Sequence, residues 1–516
     1  MVGYGTQLAA TPLKAWQFPV SNYGAKGNVK VITDATMLIA SSLLNSPAQA
    51  QFTSADVGKS VLMNCTGGTL YTPQAGTITA VNSATQAVVS FTSVSATSGA
   101  TICCYGTDDT AAIIAAQAAA VTYAQAHGYY AEILFDSVIY GVAAAPTIGT
   151  AIGGGNAQIP LPNIVDTGQK LVLVYTSSTK GYDQALMHWL QVTPQAAGAV
   201  LACMSVAGTN DGTYGPSSMV GGPFRGYGGG SLANFSNCMP VIDGVQLLVP
   251  YNTTIAGFDF YGMAEAVIMN SSCMSMAVVP AAPPYPNITN SGNISNTYVF
   301  GVRQPSEGNN DRSDILYFST EGMCYGVMWS EHGSIDTIRC IYSIIGIEGY
   351  SGNAVSMAHA ARIKYASVEG SGQGMGFQNG SGNLDQDTLD CETVTNQVYD
   401  PGNLLNASVG TRGGSNRNGG AGVRIYNLDQ PPGPVNAPSA PPSSGNPWTN
   451  NYVKDVWISI TISTGTITGL SYTGQNGVTK AQALPGSTTV IGFELPANST
   501  YTPTFTGTIA HQVTCF

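Results

Sequence analysis

Three equally spaced stretches constrain this chain more than anything else in it: ILYFSTEG at 315–322, RCIYSIIG at 339–346 and IKYASVEG at 363–370. Aligned this way, Ser319, Ser343 and Ser367 share one column, and Gly322, Gly346 and Gly370 share another. A fixed period means a unit that buries its apolar side only by stacking on copies of itself. One or two short strands and a turn glycine per period fit one coil of a parallel β-helix. GVQLLVPYNTTIAGFDFYGMAEAVIM at 244–269 reads as a further coil. The competing reading is an ordinary sandwich whose hairpins coincide.

A stack of coils has two open ends, and an uncovered terminal coil presents unpaired N–H and C=O groups that invite aggregation. CCYGTDDTAAIIAAQAAAVTYAQAHGYYAEILF at 103–135 answers that need at one end. Thr107, Asp108 and Asp109 offer N-caps and put negative charge at the positive end of a helix dipole, and Gly128 offers a stop. The helix is expected over about 109–127. Ile113, Ala116, Ala120 and Ala124 make one narrow stripe of small apolar side chains, suited to lying close on a flat surface. Strands AEILF and VIYGV follow at once.

Elsewhere the chain is β-prone and short of charge. Only 9% of its 516 residues are Asp, Glu, Lys or Arg, and 62 are Gly. Hydrophobic residues at 44% still supply a core, so the low charge does not mean disorder. The net charge of -11 and the absence of any basic run leave little to neutralise phosphates, and no nucleic-acid partner is expected. No run approaches the ~18 apolar residues of a spanning helix, and no membrane insertion is expected. The first residues lack the basic and apolar regions of a secretory signal, so synthesis in a cytoplasm is expected. Ten cysteines lie without CxxC pairs or zinc spacing and read as buried or free thiols. Cys103 and Cys104, being adjacent, point to opposite sides of any strand. Asn-x-Ser/Thr sequons such as Asn252-Thr253-Thr254 follow from composition.

Residues 28–105 hold SVLMN, GTITAV and QAVVSFT between Gly, Asn and Ser, a small inserted β module. NLDQPPGPVNAPSAPPSSGNPW, just past residue 426, reads as an extended linker over 427–450. Residues 451–516 carry strands at sandwich spacing.

SNYGAKG at 21–27 and GTDDTAAI at 106–113, followed by a helix and a strand, resemble the N-terminal signature of pectate-lyase-like right-handed β-helix proteins, a form frequent in bacteriophage tail spikes. The two halves are usually nearly contiguous; here the insertion parts them. FTSADVGKSV within it resembles inserts of phage tail proteins, and FELPANSTYTPTFTG resembles the terminal sandwich of minor tail proteins from actinobacterial phages. Asn28 stands where Asp-Gly often follows, and FDSVIYGV lacks the common Pro-x-Gly-x-Tyr turn. The resemblance implies an all-β fold: a right-handed parallel β-helix with an N-terminal capping helix, an inserted β module and a C-terminal β-sandwich. Its divisions would be a virion attachment segment at 1–20, the head and cap at 21–135 with the insertion, coils at 136–426, the linker, and the sandwich at 451–516. It further implies a homotrimeric tail spike or fibre in a virion, partnered by other tail proteins and by host surface polysaccharide and acting outside the cell.

A glycan-cleaving spike needs two carboxylates at a defined separation, or a base beside a cation. Glu321 and Glu369 fall in one column, two coils apart with Ile345 between; at ~4.8 Å per coil that is roughly 9–10 Å, near the upper end for an inverting hydrolase. Glu348, Glu331 and Asp336 lie nearby. The bland reading of Ser-x-Glu-Gly is a solvated charge before a turn, and with Arg339 and Ile363 sharing a column the strand phase stays undecided. Arg362-Ile363-Lys364 resembles the R-I-K element of polygalacturonases, with Glu331-His332-Gly333 where that family has G-H-G. Of its Asn-Thr-Asp and Asp-Asp elements only Asn310-Asp311 is approached, which favours chance. His332 belongs to that alternative. Gly58-Lys59-Ser60 lacks the first glycine of a phosphate loop, since Thr53 stands there. There is no G-x-S-x-G elbow, the five histidines lack metal spacing, and no cofactor or metal is expected.

For binding, a surface rich in hydroxyls, amides and 26 tyrosines suits neutral glycans, because rings stack on sugar faces while amides bond hydroxyls. Tyr317, Tyr342, Tyr350 and Tyr365 are the candidates on the repeat, against the alternative of core tyrosines. The stretch GTYGPSSMVGGPFRGYGGG at 212–230 is a candidate binding loop. Adhesion leads, depolymerisation follows, and a secreted monomeric lyase comes third.

Overall fold

Apolar residues recurring at one level of successive coils build two parallel sheets in the computed structural model, which describes residues 13–143 with short gaps, strands and their flanks between 147 and 435, and 443–515 with short gaps. Among the described residues the first sheet has 15 strands and begins at Gln17–Pro19, which pairs in parallel with Tyr130–Phe135. The second runs through eight, from Phe224–Tyr227 to Arg417–Asn418. Consecutive strands of the coils alternate between these sheets, so the fold is a parallel β-helix. The attachment segment expected over 1–20 therefore overlaps its first strand.

Early coils turn a corner with a left-handed residue. Gly244 (φ 69°) separates Cys238–Asp243 from Val245–Val249, and Asn270 (φ 49°) separates Val267–Met269 from Ser271–Ser275. Asn tolerates that backbone, and its amide donates to Asp243 Oδ1 on the coil before, 2.9 Å away. From the next coil the two strands merge: Asp314–Glu321 pairs with both Val267–Met269 and Ser271–Ser275.

Equivalent residues on successive coils run Ile268, Ile315, Ile335, Ile363 and Gln386, at unequal intervals along the chain. The fixed period is thus corrected. The stretches at 315 and 363 are true equivalents, but the coil between them is Ser334–Ile341, with Ile335 standing where the alignment had placed Arg339. A slip by an even number of positions keeps the in/out alternation intact, which is why the hydrophobic pattern did not reject it. Ser319 and Ser367 flank Arg339 instead of Ser343, and Gly346 sits in Ile345–Tyr350 of the second sheet. The inward phase is now fixed by Ile315, Phe318, Ile335, Ile338, Cys340, Ile363, Ala366 and Val368, all in one core.

Helix α1 (Thr110–Ala126) closes that core at its N-terminal end. Ile113, Ala116, Ala120 and Ala124 are fully buried against Ala131, Ile133, Phe135 and Leu171 of the first coils. Tyr175 Oη donates to Gln117 Oε1 at 2.8 Å, a polar side chain buried beside the stripe. Gly128 (φ 98°) ends the helix, and Tyr129 N bonds Ala124 O at 2.7 Å. Alanine at these positions is what lets the helix sit close. Ala120→Leu is expected to force the helix off the coil and cost about 2 kcal/mol, measured as a lowered thermal midpoint; an unchanged midpoint would refute close packing there.

The insertion forms a six-stranded sheet, with antiparallel pairings from Lys30–Ala35 through Thr101–Gly106 to Leu43–Asn45. Alternation splits its residues between two cores. Val61, Met63, Cys103 and Tyr105 fill the module itself, while Leu62, Ile102 and Cys104 pack on Val200, Ala202, Leu248 and Met274 of the β-helix. Cys103 and Cys104 indeed face opposite ways, and the five cysteines whose side chains are described are all buried.

At the C-terminus, Val456–Thr473 and Thr500–Cys515 pair along nearly their whole length. The burial alternation changes phase between Ile462 and Ile467, where the register shifts and where Gly465 and Gly507 face each other at φ 98° and 91°. The long hairpin bends there, and Val490–Leu495 and Thr479–Ala483 complete opposite halves of one bent sheet. The proline-rich stretch is tied onto it: Pro434–Val435 and Trp448–Thr449 both pair with the last strand.

Candidate functional site

The same register that directs Ile315, Phe318 and their equivalents inward leaves the residues between them on the outer face of four long strands, Asp314–Glu321, Ser334–Ile341, Ala358–Glu369 and Gly382–Glu392. Tyr317, Thr337, Tyr365 and Thr388 make one column there. Tyr317 is half-buried and Tyr365 is 36% exposed; two coil steps put them roughly 9–10 Å apart. Tyr365 Oη donates to Asp390 Oδ2 at 3.2 Å, which fixes the ring along the stack. Beside it, Ser319, Arg339, Ser367, Asp390 and Arg412 form a second column. A third pairs Lys364 Nζ with Asp336 Oδ1 at 2.8 Å, both well exposed and so worth little for stability. The face is a ladder of rings and hydroxyls with cations and carboxylates that alternate along it. Such a surface can stack on a sugar and offer donors and acceptors to its hydroxyls.

Glu321 and Glu369 do share a column two coils apart, but Ile341 lies between them, not Ile345. Glu321 is only 5% exposed, which overturns the reading of it as a solvated charge. Its column runs from Gly141 through Ala202, Leu248 and Met274, the last three packed under the inserted sheet, and Glu321 is the next residue along it. Glu392 comes next after Glu369, one coil step of ~4.8 Å away. Sequence reading missed Glu392 and Asp390. Aligning Gln386 under Ile363 would have found both, since it sets DCE at 390–392 under SVE at 367–369.

Other candidates scatter. Tyr350 belongs to a strand of the second sheet, paired with Asn379. Tyr342, His332, Glu331, Asn310, Asp311 and all of 212–230 except Phe224–Tyr227 lie outside the described residues. Lys364 is engaged by Asp336, and Arg362 takes a register position beside Ser334 and Asp385. Lys59 is held by Asp56 Oδ1 at 2.7 Å, beside a tight turn capped by Thr53, which leaves no phosphate cradle.

The paired aspartates at the head have a job that the sequence did not reveal. Asp109 does not cap α1 with its side chain. It accepts instead from Lys26 N (2.6 Å), Gly27 N (3.1 Å) and Gly141 N (3.3 Å). Asp108 does the capping, accepting from Thr110 N at 3.0 Å, and also takes Ala143 N at 3.1 Å. Asp109 thus joins SNYGAKG to the far side of the 28–105 insertion.

No family model matches the chain, and no curated relative matches it. Among solved structures it is similar to the enzymatically active domain of tailspike protein 4 of bacteriophage CBA120, at 11% identity and TM-score 0.27, over 93% of this chain and 77% of that one. It is similar also to the tailspike gp49 of Pseudomonas phage LKA1 (9%, TM-score 0.17, 94% and 82% covered). A third is the Gp54 tailspike of Acinetobacter baumannii bacteriophage AP22, solved with a capsular saccharide (10%, TM-score 0.18, 95% and 84% covered). At these scores the likeness carries no argument of its own, and the fold rests on the strand register given above.

Proposed function

We propose that the chain is a tail spike or fibre of a phage virion, homotrimeric and attached through its N-terminal region to other tail proteins, that binds a host cell-surface glycan during adsorption. The observation that carries the binding reading is the Tyr317/Tyr365 column, with Tyr365 steadied by Asp390 and spaced on the scale of a disaccharide. The virion reading rests on SNYGAKG and GTDDTAAI, and Asp109, which ties those two halves together, supports treating them as one element. The actinobacterial origin rests on the C-terminal resemblance alone. Native light scattering tests the assembly: a mass near three times 53.2 kDa is expected, and a monomer would favour a secreted lyase. Tyr365→Ala is expected to weaken adsorption to host cells or their isolated polysaccharide by about tenfold, the scale of one lost stacking contact, while Tyr365→Phe keeps most of it. Equal losses in both variants would point to the hydroxyl instead of the ring.

A second reading, depolymerisation of that glycan, is favoured by one observation: Glu321, Glu369 and Glu392 share a column with Glu321 buried. Glu321→Gln and Glu369→Gln would abolish cleavage and retain binding, whereas a native protein that releases no oligosaccharide ends this reading.

A further inference from the structure

We propose a second sugar-binding platform, far along the chain from the coil face, centred on Trp457 of the bent C-terminal sheet. Trp457 sits on the outer face, 42% exposed, in a strand whose alternate residues Val456, Ile458 and Ile460 are fully buried. Its row continues across the sheet to Glu494 on one side and Thr514 on the other; the next row is Gly492, Ser459 and Gln512. An outward Trp ordinarily stands off a sheet between its neighbours' side chains. Here Gly492 removes one of them. A Cβ at Gly492 would lie 2.8 Å from Cζ2, 3.2 Å from Cε2 and 3.3 Å from Nε1 of the indole. The Nε1–Cε2–Cζ2 edge of the ring therefore tucks against the glycine, as aromatic residues do beside strand glycines, and the indole leans over the strand with 42% of the residue still exposed.

The result is a partly exposed indole held low against the sheet, with the hydroxyls of Ser459 and Thr461 further along its strand and Glu494 opposite it on the paired strand. That is the geometry that takes the apolar face of a pyranose ring while the rim accepts from its hydroxyls. Among the described residues of this face, Trp457, Ser459, Thr461, Val490, Gly492 and Glu494, only Glu494 is charged, so the ligand class taken is a neutral hexopyranose or an oligomer of it. Thr461 and Ser459 extend the strip along the strand for a further sugar unit. The site does not depend on the Tyr317/Tyr365 column, and its test reports on this ring alone.

The test uses the full chain labelled with 5-fluorotryptophan, whose five fluorine signals resolve the five tryptophans. The Trp457 signal is the one lost in Trp457→Phe. Methyl β-glucoside, methyl β-galactoside, cellohexaose and maltohexaose are titrated to tens of millimolar, the range of a single stacked sugar. A saturable shift of the Trp457 signal with at least one probe, retained in Tyr365→Ala and lost in Gly492→Val, which lifts the ring, supports the platform. No saturable shift with any probe overturns it. A Trp457 fluorine signal that a soluble nitroxide radical cannot broaden in the native oligomer also overturns it, because the ring is then covered by another copy of the chain.

Discussion

Asp109→Ala is expected to cost about 3 kcal/mol, because it strands the N–H groups of Lys26, Gly27 and Gly141 in a site where Asp109 itself is 1% exposed. The loss should appear as a lowered first thermal transition with earlier proteolysis before α1. Asp108→Ala removes a cap and should cost less, about 1 kcal/mol. Equal effects would mean that Asp109 is only another cap. The pH dependence has a sign. Burial pushes the Asp109 carboxyl above its ordinary range, against the pull of its three backbone N–H donors, and the charge of Asp108 adds to the rise. A group held more tightly protonated in the fold stabilises fully below its unfolded pKa, and that contribution is lost as pH rises through the folded value. Asp109→Asn does not titrate there, so its deficit relative to the native protein should narrow as pH rises through the acid range. A widening deficit would refute the assignment.

Gly507→Ala should be the most damaging change in the C-terminal sheet. A Cβ there would sit 1.6 Å from Thr464 O, at a φ of 91°. The left-handed backbone alone costs about 1–2 kcal/mol in a non-glycine residue. The overlap is with a carbonyl of the paired strand, which cannot swing away without breaking the hairpin, so about 4 kcal/mol in all is expected. Gly469→Ala is the matched control, since nothing lies closer than 3.7 Å to its Cβ, and it should stay within about 1 kcal/mol. Thermal unfolding followed by tryptophan fluorescence separates the two; a mild Gly507→Ala would mean that the bend tolerates a side chain.

Much of this was legible in the residues because it depended on local pattern. The helix stripe at Ile113, Ala116, Ala120 and Ala124 follows from spacing, and the structure ends that helix at Ala126, just short of the expected 127. The opposite facing of Cys103 and Cys104 follows from strand alternation. What stayed hidden depended on distances along the chain that the pattern does not encode. The pairing of Glu321 with Ile341, and of Glu369 with Glu392, is decided by how much chain each coil spends between strands. Likewise, Asp109 reaches back to Lys26 and forward to Gly141, which no short window relates. The tying of Pro434–Val435 and Trp448–Thr449 to the last strand was masked by a proline content that reads as linker.

The unequal coils, whose rungs fall at Ile268, Ile315, Ile335, Ile363 and Gln386 and still keep strict register, also bear on how such a protein can change. Core and columns are specified rung by rung, while the chain between rungs is free in length. Lineages of this protein can therefore gain or lose whole loops without disturbing a single inward side chain, since longer surface connections add little closure entropy. Insertions and deletions, more than point changes, should be where related chains differ, and recombination at the rungs would exchange outer surfaces while leaving the scaffold intact.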